Sequence, residues 1–414
     1  MADGSDLVAA GAFAGTGTLG SGSVTSTGTS DGLVVSYGPT GTLEWSRRIG
    51  GAGANASLRD LARDSAGNLY VIGSFTGSVD AGGGTLVSAG MNDVIVASFT
   101  SAGAHRWSRR YGGTGQDAGF VIGADAAGNV VVAMNAFGSV DLGGGPIGGA
   151  SNATLLLGLT SGGIHRFSRA FVPSATTPTY PEGVVIDAAG ASYVVGQYAS
   201  PTDFGGGSLT PMSNDGFAAA FDASGNHLWS RRFGGSSIDG LDAAALDSTG
   251  GLVAAGSFRG TVDFGAGPLV ARGTTWDDLF VIRLDRATGS TTWARRFGDD
   301  ETELASTIAV DAAGNILVGG MFAGSVDFGG GFVTATSGNF SGSPFLLGLT
   351  PAGVYRFVWV PLGDGELSGV AVSGTRALVV GGWGRNMNLG GGALTQYDSM
   401  GSSNLDAFAG VIEL

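Results

Sequence analysis

Aspartate is the residue type whose spacing could do chemistry in this chain. Asp64, Asp125, Asp187, Asp247 and Asp311 form one column, and Asp80, Asp141, Asp203, Asp263 and Asp327 form a second. Carboxylates so arranged could ring a cation, since Ca²⁺ takes about six to eight oxygen ligands. They could also supply the acid pair of a glycosidase. A plainer chemistry is that of a turn, in which the Asp accepts N–H bonds from residues just ahead and a Gly takes positive φ. Substitution separates the two. In a third column of the same form, Thr100, Thr160, Asp222 and Thr350 interchange, while Thr18 and Asn388 stand in for Asp in the second. Thr and Asn replace Asp as hydrogen-bond caps, whereas Thr is a poor Ca²⁺ ligand. Capped turns are therefore expected, with no metal and no cofactor.

Nucleophilic chemistry finds few residues to use. His105, His165 and His227 occupy one column in three different copies, where Leu43, Thr291 and Tyr355 stand elsewhere, so they cannot converge on one reacting atom. There is no Cys, and the twenty basic residues are all Arg. Thiolate and Schiff-base catalysis are excluded, and no catalytic residue is assigned. A Trp-Ser-Arg-Arg run recurs at Trp45, Trp107 and Trp229, with Trp293-Ala294-Arg295-Arg296 as a variant. Trp45 and Arg47 share one face of a strand and Arg48 takes the other. Such a run could hold an anion or a sugar. The favoured reading is a core Trp whose Arg neighbours bond carbonyls and Asp of the next copy. Departures from the repeat are better markers of a unique site: Arg272 to Asp278, Val172 to Pro181, and Gly382 to Asn386. Trp and Arg on loops make strong binding anchors, so Arg272, Trp276, Trp383 and Arg385 are the candidate ligand-binding residues.

The element that positions these residues is a repeat. Aligned on the Asp of the second column, seven copies fall at Thr18, Asp80, Asp141, Asp203, Asp263, Asp327 and Asn388, with steps of 62, 61, 62, 60, 64 and 61 residues. In the copy from Gly119 to Arg169, four strands are expected. Strand A is Gly119 to Asp125, B is Val130 to Phe137, C is Ala153 to Leu159 and D is Ile164 to Ala170. The 79 Gly sit at fixed repeat positions between these runs and read as turn and bulge residues. Leu69 to Ile72 and Val94 to Ala97 are apolar on both faces, which calls for sheets covered on both sides. Four-stranded units stacked face to face around an axis, a β-propeller, meet that condition.

The repeat is similar to the SBBP family, a bacterial β-propeller repeat. The matching residues are Asp311-Ala312-Ala313-Gly314-Asn315, then Gly324 to Gly331, then a strand D such as Leu228 to Gly235. The resemblance implies a seven-bladed propeller, often in a secreted or surface-attached protein, and implies no reaction. The expected fold is all-β, one domain over 1–414, with blades near 1–50, 51–112, 113–172, 173–234, 235–298, 299–362 and 363–414. Strands B and C occur seven times but A and D six times, because the chain opens on a B strand (Leu7 to Phe13) and stops after a C strand (Ala407 to Leu414). The first and last blades are therefore expected to be incomplete, completed by a trimmed segment or a partner chain.

Net charge is −14 with 13% charged residues, which disfavours duplex nucleic acid and anionic membranes as partners. No apolar run approaches the ~20 residues of a membrane span, and residues 1–4 carry no signal-peptide pattern. The favoured function is a non-catalytic binding or scaffold module that meets a protein or glycan through its blade loops and channel mouth, outside the cell or at its surface. A carbohydrate-binding propeller is the alternative, and a glycosidase with a carboxylate pair is a third reading.

Overall fold

The computed structural model describes residues 6–20, 22–175, 177, 179–273, 275–336, 342–389, 393–394 and 406–414. Among them there is no helix, and seven antiparallel blade sheets follow one another along the chain. The fold is a seven-bladed β-propeller.

The first blade holds β1 (Leu7–Phe13), β2 (Asp31–Tyr37) and β3 (Leu43–Ile49). The second holds β4 (Asn55–Arg63), β5 (Leu69–Thr76), β6 (Asp93–Phe99) and β7 (His105–Tyr111), and the third β8 (Ala118–Ala124), β9 (Val130–Asp141), β10 (Pro146–Leu159) and β11 (His165–Phe171). The fourth holds β12 (Tyr180–Ile186), β13 (Ser192–Tyr198), β14 (Asp215–Phe221) and β15 (His227–Phe233). In the fifth are β16 (Gly240–Leu246), β17 (Gly251–Phe258), β18 (Asp278–Asp285) and β19 (Thr291–Phe297). In the sixth are β20 (Glu303–Val310), β21 (Ile316–Phe322), β22 (Ser343–Leu349) and β23 (Tyr355–Trp359). The last blade has β24 (Leu362–Ser373), β25 (Arg376–Asn388) and β26 (Asp406–Glu413).

Blades two to six run A-B-C-D across the sheet, and within each unit strands A of successive blades contact one another, which makes A the inner strand. The first sheet has only B, C and D, and in the last β26 pairs with β25 as strand C with no D beside it among the described residues. Among the described residues the two terminal blades are thus incomplete, as read from the sequence. The chain divides into two compact units, one built from residues 1–194, 198–210 and 219–230 and the other from 195–197, 211–218 and 231–414.

Face-to-face stacking is visible inside each unit. All seven residues of β6 are buried. Ile95 and Ala97 pack into a cluster with Val34 and Ile49 of the first blade, while Val94 and Val96 pack with Val132, Leu155 and Leu157 of the third. The period of two along one strand thus serves two neighbours at once. Leu317 and Leu346 meet Leu367, Val379 and Phe408 in the same way.

The connection between strands B and C is a small hairpin rather than a loop. It appears as Ser78–Asp80 with Thr85–Val87, Thr261–Asp263 with Pro268–Val270, and Ser325–Asp327 with Phe332–Thr334. The residue after its Asp is driven into the core. Phe264 lies 4.2 Å from Phe280, and Phe328 lies 5.0 Å from Phe345.

Five strands A carry a bulge, and in these the cross-strand pair beside it includes one glycine. The pairs are Leu58 with Gly73, Gly119 with Met134, Leu241 with Gly256, Ala305 with Gly320 and Leu367 with Gly381. A Cβ on Gly73 would lie 2.1 Å from the Ser57 carbonyl oxygen, and one on Gly320 would lie 1.9 Å from that of Leu304. Bulging presses strand A onto strand B, so only one of the two facing residues can carry a side chain.

Candidate functional site on the inner strands

The repeated columns are consumed by their own fold. Asp64 Oδ1 accepts the Ala66 and Asn68 N–H groups at 3.0 and 2.8 Å, and Tyr70 donates its hydroxyl to Oδ2 at 2.9 Å. Asp125, Asp187 and Asp311 accept the same pair of backbone donors. Asp247 adds Arg283; although burial pushes its carboxyl up, this guanidinium and the turn N–H groups hold it at about 2. In the second column Asp80 Oδ1 accepts from Gly82 and Gly84, a pattern that Asp141, Asp203, Asp263 and Asp327 repeat. Thr100 and Thr160 accept one turn N–H each through their hydroxyls, where the Asp222 carboxylate accepts two.

The histidines cover the glycine clusters. A Cβ on Gly83 would lie 2.1 Å from His105 Cε1, and Gly144 and Gly206 stand in the same relation to His165 and His227. Each ring is 3.2–3.3 Å from a Ser three residues on. The glycines are thus needed where the ring lies flat on the backbone.

Strand D latches one blade to the next. Trp45 and Trp107 donate their indole N–H to the carbonyls of Ser101 and Ser161, in the C–D turn of the following blade. Arg47 and Arg295 donate to Gly103 and Ala352 in the same turns. One expectation needs correcting. The second Arg of the run pairs with an Asp at the head of strand C in its own blade, as Arg48 does with Asp31 and Arg232 with Asp215, because C and D are neighbours in one sheet.

Residues 44–77, running from β3 through β4 and β5, match the model of the SBBP beta-propeller repeat. The chain carries that repeat. No curated protein sequence matches it. Among solved structures, a protein of unknown function from Bacteroides caccae is 11% identical with a TM-score of 0.41, covering 85% of this chain and 93% of that one. BamB from Moraxella catarrhalis is 15% identical with a TM-score of 0.41, covering 88% and 92%. A quinohemoprotein alcohol dehydrogenase from Comamonas testosteroni is 11% identical with a TM-score of 0.42, covering 90% and 64%.

Against the SBBP repeat, the loop residues fall in different places. Trp276 is 40% exposed and Arg272 is exposed, in the segment leading into β18. Trp383 was expected on a loop; it lies in β25 opposite Gly365 and Asp406, 5% exposed in the core with Met387 and Phe408. The strand continues through Gly382 to Asn388 because the last blade extends its A–B pairing there. Arg385 belongs to that strand, but its side chain lies outside the described residues.

A departure that sequence reasoning missed lies on the strands A of the first unit. The bulge column reads Arg59, Phe120, Glu182, Asp242, Ser306 and Ser368. Arg59 of β4 places its guanidinium 4.4 Å over the Phe120 ring of β8 and reaches Glu182 of β12 at 3.4 Å, so three blades are linked. Tyr180 meets the same Phe120 ring edge-on at 6.0 Å and is 37% exposed. Burial raises the Glu182 carboxyl, and Arg59 works against it. Next in the chain, Asp60 accepts the Ile122 N–H of β8 at 2.8 Å and that of Leu61 at 2.7 Å. Burial pushes Asp60 up to about 6 despite these donors and Arg59. The signal was available: Arg59 and Glu182 stand where three other copies carry Ser or Phe.

Thr307 does in the sixth blade what Asp60 does in the second, accepting the Val370 N–H at 3.0 Å through a neutral hydroxyl. A carboxyl whose folded pKa lies above its ordinary value loses stability as pH rises from about 4 to about 6, and the penalty persists above that. Asp60→Thr is therefore expected to stabilise the protein at pH 7.5 by about 1–3 kcal/mol and to change nothing near pH 4. Thermal unfolding at the two pH values checks this.

Proposed function

We propose that the chain is a non-catalytic binding module, and that the inner strands around Arg59, Phe120, Tyr180 and Glu182 are its contact site. The supporting observation is that Arg59 crosses Phe120 to Glu182, whereas the carboxylates and histidines of the repeated columns already hold turns and glycine clusters. Half-exposed Arg and Tyr over a fixed ring make a binding hot spot. Asp60 is held there at a cost to stability, as functional sites commonly require. The partner is a protein, met outside the cell or at its surface.

The test is capture of partners from the native source on immobilised wild type, Arg59→Ala and Tyr180→Ala. Both variants should lose the captured species by tenfold or more while still unfolding cooperatively as folded proteins. Equal capture by all three would refute the site. Hydrolysis of a glycoside panel that Glu182→Gln abolishes would replace binding with catalysis. A sugar-binding reading rests on the exposed Trp276, and glycan-array binding lost in Trp276→Ala would favour it.

A further inference from the structure

The junctions between blades differ in charge, and the differences vary together. Three positions meet at each junction: the first residue of strand C, the fourth residue from the Trp of strand D, and the residue eight before the A–B turn of the next blade. Asp31, Asp93, Asp215 and Asp278 head strand C where Arg48, Arg110, Arg232 and Arg296 stand on strand D. Where Ala153 or Ser343 stands at the equivalent position of strand C, strand D carries Ala170 or Val360. The third position is Ala56 after the first Asp–Arg pair, but Asp117, Asp239 and Glu303 after the other three.

The orphaned oxygens follow the third position. Where Ala56 follows, Asp31 is fully bonded, with Oδ1 accepting from Gly28 and Oδ2 from Thr27 and Arg48. Where a second acid follows, Oδ1 of Asp93, Asp215 and Asp278 is buried with no partner, and so is Glu303 Oε1. These four residues are at most 0% exposed. At two of these junctions the geometry shows the two carboxyls facing the same point. A Cβ on Gly112 would lie 2.8 Å from Asp93 Oδ1 and 2.6 Å from Asp117 Oδ2, and one on Gly298 would lie 2.5 Å from Asp278 Cγ and 2.6 Å from Glu303 Oε2. One guanidinium balances one carboxylate, so the second leaves a buried net charge, which is costly. A metal ion is a poor remedy beside a bonded guanidinium, whereas a proton neutralises the excess and gives the orphaned oxygen a donor.

We propose that the Asp93–Asp117, Asp215–Asp239 and Asp278–Glu303 pairs each hold one shared proton, making these three junctions a built-in device that tightens the propeller in mild acid and loosens it as pH rises. The charged groups around each pair are few. Asp93 and Asp117 see Arg110 and the N–H groups of Gly113 and Phe137. Asp215 and Asp239 see Arg232, with Asp277 nearby and itself paired to Arg259. Asp278 and Glu303 see Arg296, the Arg272 N–H and Asp299. Burial raises Asp117, Asp239 and Asp278, and with the Asp299 charge it takes Glu303 up to about 9; Asp31, with no second acid, lies below its ordinary value.

The sign follows from linkage. A raised carboxyl binds more protons folded than unfolded, so stability falls as pH climbs from its unfolded value, near 4, to its folded one. Urea unfolding of the full chain between pH 5 and 9.5 should show a midpoint that declines throughout. Glu303→Gln, which mimics the protonated acid, should flatten the decline above pH 7 and raise the midpoint at pH 8.5. Asp117→Asn should flatten it at lower pH. Asp31→Asn should instead lower stability at neutral pH. At pH 7.5 the infrared carbonyl band of a protonated carboxyl should be present in the wild type and weaker in Glu303→Gln. A wild-type midpoint that is flat or rising with pH, or a Glu303→Gln profile parallel to it with an unchanged band, would overturn the proposal.

Discussion

Arg110→Ala is expected to lower stability by about 3–5 kcal/mol, the usual effect of stranding a buried charge by removing its partner. Arg110 is about one-third exposed, but its partner Asp93 is fully buried and Asp117 adds a second carboxyl at the same point. Removing the guanidinium leaves two acids and no cation. The chain contains its own control. At the junction of the third and fourth blades the equivalent positions are Ala153, Ala170 and Thr179, which pack without charge. The triple replacement Asp93→Ala, Arg110→Ala, Asp117→Thr should therefore recover most of the loss, to within about 1–2 kcal/mol of wild type. Chemical unfolding of the single and triple variants gives the comparison. A triple variant no more stable than Arg110→Ala would show that the ion pair itself, and not the stranded charge, is what the junction needs.

That control is a product of the repeat, which also explains what the sequence made legible. A turn capped by Asp at residue one and Gly at residue four is a local event, so the A–B and C–D turns could be read from Asp64-Ser65-Ala66-Gly67 or Thr100-Ser101-Ala102-Gly103 alone. Strand ends follow from those turns. The predicted B strand at Leu7 to Phe13 coincides with β1, and C at Ala407 to Leu414 is offset from β26 by one residue at each end. The small hairpin between B and C is marked in the sequence by its glycines, but its anchor is not local: Phe264 packs on Phe280 of strand C.

The inner-strand site was less legible for the same physical reason. Arg59 and Glu182 are 123 residues apart, and only the stacking of blades brings them together. Trp383 illustrates the reverse error. An aromatic outside the strand-D column suggested a loop anchor, but in the last blade no strand D stands beside β26 among the described residues, and Trp383 fills core from strand B instead. Column membership identifies what a residue does only where the blade is complete.

Gly73→Met should be among the most damaging single changes in the chain, costing more than about 3 kcal/mol, because the new Cβ would meet a backbone oxygen, that of Ser57, at 2.1 Å. Backbone inside a paired strand cannot step aside as a side-chain tip can. Yet Met134 occupies the same place in the third blade, where the facing residue is Gly119 and not Leu58. A glycine on strand A leaves its backbone freer to retreat, and the methionine fills the volume that leucine fills elsewhere. Leu58→Gly alone should cost about 3–5 kcal/mol through the cavity it opens. Combined, the two changes recreate the third-blade arrangement, and the double variant should be more stable than either single one, with a coupling of about 2–3 kcal/mol. Simple additivity in the cycle would mean that Met134 is tolerated for some reason other than its glycine partner, and the one-side-chain rule at the bulge would fall with it.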